Sequence, residues 1–248
     1  MHFHPKHLSF LQDCRSAFDP SEETAGGVPA SWFAHVSPNS NCDGLPTQRC
    51  KRSDLFKFGE TQPRIELVAA AILAWGGMHR QHGQKLFERD GWLEIAQSVR
   101  RGELSRGEAY DAFASLRAKG DLPGMGPAYF TKLIFFLMPR SMAAGYIMDQ
   151  WTACSINILL DDPTAIRTDA SYSWTGASKL GSQYVVSDHN SAEQYERFCR
   201  TVEALARKLK LAPDATELLL LSEGGRKPLP WREYVKKHRR PALTGPAA

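Results

Sequence analysis

Residues 122–149, LPGMGPAYFTKLIFFLMPRSMAAGYIMD, constrain this chain more than any other stretch. Leu122-Pro123-Gly124-Met125-Gly126 reads as a tight hairpin, because its glycines tolerate positive φ and close approach of another backbone. Pro127 suits the first position of a helix, where a missing N–H costs nothing. The expected helix over 127–138 is almost wholly apolar, yet it carries Lys132. After a loop holding Pro139 and Gly145, Asp149 stands directly before a second apolar helix, Gln150–Leu160.

Signals on either side place the hairpin between helices. Arg64–Trp75 reads as a central helix, apolar on most sides and stopped by Gly76-Gly77. A second helical stretch covers roughly 84–101. Ser105 and Glu108 form a capping box for a helix to about Lys119, with Tyr110, Phe113 and Leu116 at helical spacing. Residues 19–53 are rich in Pro, Gly, Ser and Asn, so 1–53 is expected to be an irregular segment packed on a core that starts near Asp54. Residues 161–190 are polar and read as a long loop, with short strands around Tyr184–Val186. Ser191 and Gln194 make another capping box, followed by the stripe Tyr195, Phe198, Val202, Leu205 and Leu209. A last helix over about 214–222 stops at Gly224-Gly225. The expectation is a mainly α chain: two helical lobes around a cleft, within one helical domain over 54–248.

Composition excludes several classes. With 42% apolar and 23% charged residues, the chain is an ordinary globular one. Its longest apolar runs are too short to cross a bilayer, and MHFHPKHLSF lacks a secretory core, so a cytoplasmic location is expected; the chain is also expected to be a monomer. Five scattered cysteines without C-x-x-C argue against disulfides, zinc and iron–sulfur clusters. His2, His4 and His7 have no carboxylate or cysteine at ligand spacing, so no metal site is expected. The net charge of +4 is uneven. Residues 226–240 hold seven Lys/Arg and one acid, leaving 24 basic and 26 acidic residues elsewhere. Such a patch attracts a polyanion, and Lys227, Arg232, Lys236 and Lys237 are its candidate phosphate contacts.

The hairpin has matching chemistry. Amides at the start of the following helix lack internal partners and suit a phosphate, so Leu122, Gly124, Met125 and Gly126 are candidate backbone contacts. Asp149 has two readings: a favoured N-cap, or a carboxylate kept ionised by the helix dipole and able to stabilise a positive sugar. Lys132 also has two: it snorkels to water or to a phosphate, or desolvation leaves a neutral amine nucleophile. Trp75, Tyr129 and Trp151 are candidate stacking partners for a base, and Gln150 and His79 candidate hydrogen-bonding partners for its edge.

The segment from about Ser105 to Leu160 resembles the helix-hairpin-helix DNA glycosylase superfamily, whose signature is this hairpin, a Gly/Pro-rich loop and a catalytic Asp. Asp149 falls on that aspartate, and Leu122, Gly124 and Gly126 fall on hairpin positions. Where most 8-oxoguanine and endonuclease III-type members carry the catalytic lysine, this chain has Ala128; Lys132 stands one turn later. The run Phe130–Phe135 is more similar to archaeal 8-oxoguanine glycosylases, where the lysine follows Ser or Thr. Arg52-Ser53-Asp54-Leu55, Ala74-Trp75-Gly76-Gly77 and Trp231-Arg232-Glu233-Tyr234 extend the resemblance to a bacterial 8-oxoguanine-glycosylase-like group. The resemblance implies excision of a flipped-out modified base from double-stranded DNA, with Asp149 catalytic and Lys132 supplying an associated lyase step. The base implied is 8-oxoguanine-like, or the glucosylated hydroxymethylcytosine that some prokaryotic members remove from phage DNA in antiviral defence. The alternative is a non-catalytic DNA-binding module using the hairpin alone. No cofactor is expected beyond a monovalent cation that the hairpin could hold.

Overall fold

The computed structural model describes residues 1–23, 25–175, 178–222 and 228–240. In chain order the first helices are α1 (Pro5–Ser16), α2 (Pro29–Val36), α3 (Arg52–Thr61), α4 (Ile65–Trp75), α5 (Arg80–Phe87) and α6 (Gly91–Arg101). They continue as α7 (Arg106–Ala118), α8 (Pro127–Leu137), α9 (Gln150–Leu160), α10 (Ala192–Leu209), α11 (Pro213–Leu221) and α12 (Pro230–His238). Strands β1 (Thr168–Thr175) and β2 (Ser178–Val186) pair antiparallel, with Thr168 opposite Val186 and a register shift at Ser173/Trp174. The fold is mainly helical, as expected, and forms two compact units.

One unit is Glu22–Ile147. Its centre is α4, where every residue from Leu67 to Ala74 is buried. Helices α2, α3, α6 and α8 pack around it. Helix α8 is buried from Phe130 to Leu137, which explains its lack of a polar face. The stretch 84–101, expected as one helix, is two. Trp92 Nε1 donates to the carbonyls of Leu86 (3.2 Å) and Arg89 (2.9 Å), occupying acceptors at the end of α5 before Asp90 and Gly91 start α6. The N-terminal residues expected to be irregular carry α1 and α2, and α2 buries Trp32, Phe33 and Val36.

The other unit is Met1–Ser21 with Met148–Ala248. Helix α9 is its core, buried from Thr152 to Leu159 and contacted by α1, α10, α11, α12 and both strands. Both Ser capping boxes form as expected, and the Tyr195–Leu209 stripe on α10 is buried. In the polar stretch expected as a long loop, the strand expected around Tyr184–Val186 is the end of β2, and β1 pairs with it. Asn157 holds its approach, donating to the carbonyls of Pro163 (3.2 Å) and Ile166 (2.8 Å) and accepting from Ile166 N–H. The basic segment is not a free tail, because Trp231 and Val235 of α12 are fully buried. Gly224-Gly225 lies outside the described residues; α11 ends at Leu221. No described helix is long and apolar enough to cross a membrane.

Candidate active site

The glycine hairpin joins α7 to α8. Leu122 and Met125 are fully buried, so they anchor the turn from within and leave only backbone for a ligand. Gly124 has φ +72°, a conformation that favours glycine. Arg117 Nη1 donates to the Leu122 carbonyl (2.8 Å), and Met125 N–H to the same oxygen (3.2 Å). Gly126 caps α8 without a side-chain hydrogen bond, and Pro127 follows at the first turn. The start of α8 therefore retains the open amides that suit an anion.

Lys132 lies in the same unit, 9% exposed. Its Nζ donates to the Ala128 carbonyl one turn back (2.6 Å) and stands 5.1 Å from the Tyr129 ring centroid. Its stem crosses Gly76, where a Cβ would stand 2.8 Å from Lys132 Cδ. Tyr129 is half-buried, burial pushes its phenol up, and its Oη donates to the Gly77 carbonyl (3.4 Å). Trp75 is packed rather than open: Phe136 meets it edge-on at 5.1 Å, and Gly26 lies against its Cδ1. Its Nε1 has no hydrogen-bond partner among the described residues. His79 is exposed and caps α5.

Asp149 belongs to the other unit, at the start of α9. Its Oδ1 accepts from the N–H groups of Trp151 (2.7 Å) and Thr152 (3.0 Å), and Thr152 Oγ1 accepts from Asp149 N–H (3.0 Å). Oδ2 has no hydrogen bond among the described residues, so one carboxylate oxygen caps the helix and the other is unused. Cys154, one turn on, is no competing nucleophile: burial outweighs the opposing effect of Arg239, and its thiol is pushed up to about 12.

The basic segment meets this helix start. Arg232, expected to reach a phosphate, is instead buried: its Nε and Nη2 donate to the Leu221 carbonyl (3.1 and 2.6 Å), and Nε also to that of Ser222 (2.6 Å). Its guanidinium lies 3.7 Å from the Trp151 ring centroid. Arg239 stands 5.0 Å from the same ring and 4.2 Å from that of Tyr184. Trp151 is thus a platform for arginines, which a base would have to displace. Gln150, with its amide oriented to match its neighbours, bonds the Tyr184 carbonyl and Trp151 Nε1. Lys236 and Lys237 are exposed, Lys236 paired with Glu233 (2.6 Å); Lys227 lies outside the described residues. Asp162, half of an Asp161-Asp162 pair, is bound by Arg197 (3.1 Å) and Thr164.

The roles of Arg117, Gly76 and Arg239 are not legible in the sequence. Each acts across a turn or between elements, and only the fold brings it to its partner.

A glycine hairpin between two helices, in a mainly helical chain whose next helix is capped by aspartate, defines a helix-hairpin-helix glycosylase fold. The chain belongs to the family described as "Putative 8-oxoguanine DNA glycosylase OGG-like protein", whose profile matches residues 19–221. No curated protein and no solved structure matches it. Membership supports glycosylase activity on DNA.

Proposed function

We propose that this chain removes an oxidised purine of the 8-oxoguanine type from double-stranded DNA, acting as a monomer and without a cofactor. The family description favours that base over the hypermodified cytosine of phage DNA. The hairpin amides hold a phosphate while the damaged nucleotide leaves the stack, at a cost of a few kcal/mol. Asp149 then stabilises the positive charge that develops on the deoxyribose as its bond to the base breaks. The bonding electrons leave with the base, which takes up a proton. Water adds to C1′ and loses its proton, leaving an abasic site. The observation that carries this reading is the divided Asp149 carboxylate: Oδ1 is fixed by two backbone amides, while Oδ2 has no hydrogen bond among the described residues.

Lys132 is assigned the strand-cleaving step. Its neutral amine adds to the aldehyde of the abasic site and loses water to give an imine. Loss of a C2′ proton then expels the 3′-phosphate, and water hydrolyses the imine. Carbonyl and aromatic contacts hold Nζ in one place, which supports a positioned amine.

The test is mass spectrometry of bases released from oxidised DNA and, in a parallel arm, from glucosylated phage DNA. Asn caps a helix as well as Asp does, so Asp149→Asn is expected to fold normally and bind DNA. It should release base at least roughly 100-fold more slowly. Release from the phage DNA alone would replace the substrate. Release from neither by the wild type, with DNA binding intact, would leave a non-catalytic binding module.

A further inference from the structure

Two arginines flank the start of α9, and they are held differently. Arg232 is buried and committed, with Nε and Nη2 donating to the carbonyls of Leu221 and Ser222. Arg239 is half-buried and stands just past α12, where its own N–H donates to the Val235 carbonyl (2.8 Å). Its guanidinium lies 5.0 Å from the Trp151 ring centroid and 4.2 Å from that of Tyr184. Gln150 bonds both Trp151 Nε1 and the Tyr184 carbonyl, so the helix start and β2 present the two rings as one frame.

This frame keeps a cation near Asp149 without an ion pair between them. Beyond the burial that raises the Cys154 thiol, Arg239 lowers it and Asp149 raises it, so both charges act on one side chain. Yet Asp149 makes no ion pair among the described residues, and its Oδ2 no hydrogen bond. The acids of adjoining elements leave the surplus positive. Helix α9 carries no charged residue from Gln150 to Leu160, and Glu233 is matched by Lys236. Asp169 stands opposite Val185 in the sheet, on the face away from Tyr184. Asp161 shares a cavity of about 170 Å³ with Arg239, but Lys237 and Arg240 line it too, and Asp162 there is bound by Arg197.

We propose that Arg239 is a positioning residue, a role that rests on the glycosylase reading of Asp149. It grips the phosphodiester next to the everted deoxyribose and so holds C1′ toward the unused oxygen of Asp149. Every deoxyribose within a strand carries a phosphodiester on each side, so a sugar at Asp149 brings an anion to the adjoining side chains. A guanidinium stacks through its faces and donates from its edge, in a fork that fits two phosphate oxygens. Ring contacts fix its place before DNA arrives, which lowers the entropy lost on binding. Arg239 lies beyond residues 19–221, the span that the family profile matches, so membership assigns it no role.

The experiment measures single-turnover base release, at saturating protein, from duplexes carrying 8-oxoguanine. The phosphate on the 5′ or the 3′ side of the lesion is replaced, one at a time, by an uncharged methylphosphonate. In the wild type one of the two replacements should slow release by roughly 10- to 100-fold, as for a lost hydrogen bond to a charged group. Arg239→Gln should be slowed as much on the unmodified strand, and lose nothing more to that methylphosphonate. A methylphosphonate cost that persists in full in Arg239→Gln would overturn the role and leave the chemistry of Asp149 standing. Should Arg239→Gln melt too early to assay, Arg239→Lys serves the same cycle, because it keeps the charge and loses the fork. There the methylphosphonate cost should shrink, and an unchanged cost would again overturn the role. No release by the wild type from any of these duplexes would overturn the reading of Asp149, and the role of Arg239 with it.

Discussion

At the scale of single residues, Gly76 links fold to chemistry. Its φ of −70° suits any amino acid, so what the glycine supplies is space. A Cβ there would stand 2.8 Å from Lys132 Cδ and 3.0 Å from Cε. Gly76→Ala is therefore expected to turn the lysine stem aside while changing helix propensity by only about 1 kcal/mol. Displacing an amine nucleophile by an ångström costs roughly 100-fold. Borohydride trapping on abasic DNA should fall by that order, as it should in Lys132→Ala, while base release through Asp149 continues. Undiminished trapping would show that the amine does not reach the sugar along this path. The capping role of Asp149 was legible because capping is local: the carboxylate and the amides it accepts from lie within one turn. The arginines over Trp151 were not, because Arg232 and Arg239 come from α12 and its end, far along the chain.

At the scale of elements, the seam between α1 and α12 makes stability depend on pH. His7 Nδ1 lies 2.8 Å from Tyr234 Oη. Burial lowers the His7 imidazole below its ordinary 6.5, and His4, His238 and Lys6 lower it further against the opposing Asp161. The folded form thus holds this proton less readily than the unfolded chain. Stability from this group is present above about pH 6.5 and is lost as pH falls through the lower folded value. Wild type should lose more melting temperature than His7→Gln between about pH 7.5 and about pH 5.5. Equal losses would remove His7 from the account. The same seam shows where the sequence misled. Charge made 226–240 read as a patch for a polyanion, although Trp231 and Val235 stand four apart and both are fully buried. The β-hairpin had a signal too: Ser171-Tyr172-Ser173-Trp174-Thr175 alternates at strand period, but its polarity and length suggested a loop. Helices α4, α8, α9 and α10 were legible because burial or amphipathicity is written at helical spacing within each segment.

At the scale of the whole molecule, the family profile ends before α12 and begins after α1, yet these two helices pack together. Phe10 stacks on Tyr234 with centroids 4.3 Å apart, and Tyr234 on Trp231 at 5.4 Å. Trp231 Nε1 donates to Ser155 Oγ (2.9 Å), which donates to the Leu220 carbonyl (3.1 Å). Residues beyond the matched span thereby clamp α9, the helix that begins with Asp149. The unit Glu22–Ile147 has its own core in α4, α7 and α8, with Leu67, Phe113 and Phe130 buried. Trp231→Ala is expected to destabilise the clamped unit by about 3–5 kcal/mol, through lost burial and the lost hydrogen bond to Ser155 Oγ. In hydrogen exchange, the amides of α9, α11 and α12 should open faster while those of α7 and α8 keep wild-type protection. Base release should fall as the Asp149 end loses its support, and hairpin-mediated DNA binding should persist. Equal acceleration in both units would mean that the chain unfolds as one block, and α9 would then owe nothing special to the C-terminal helix.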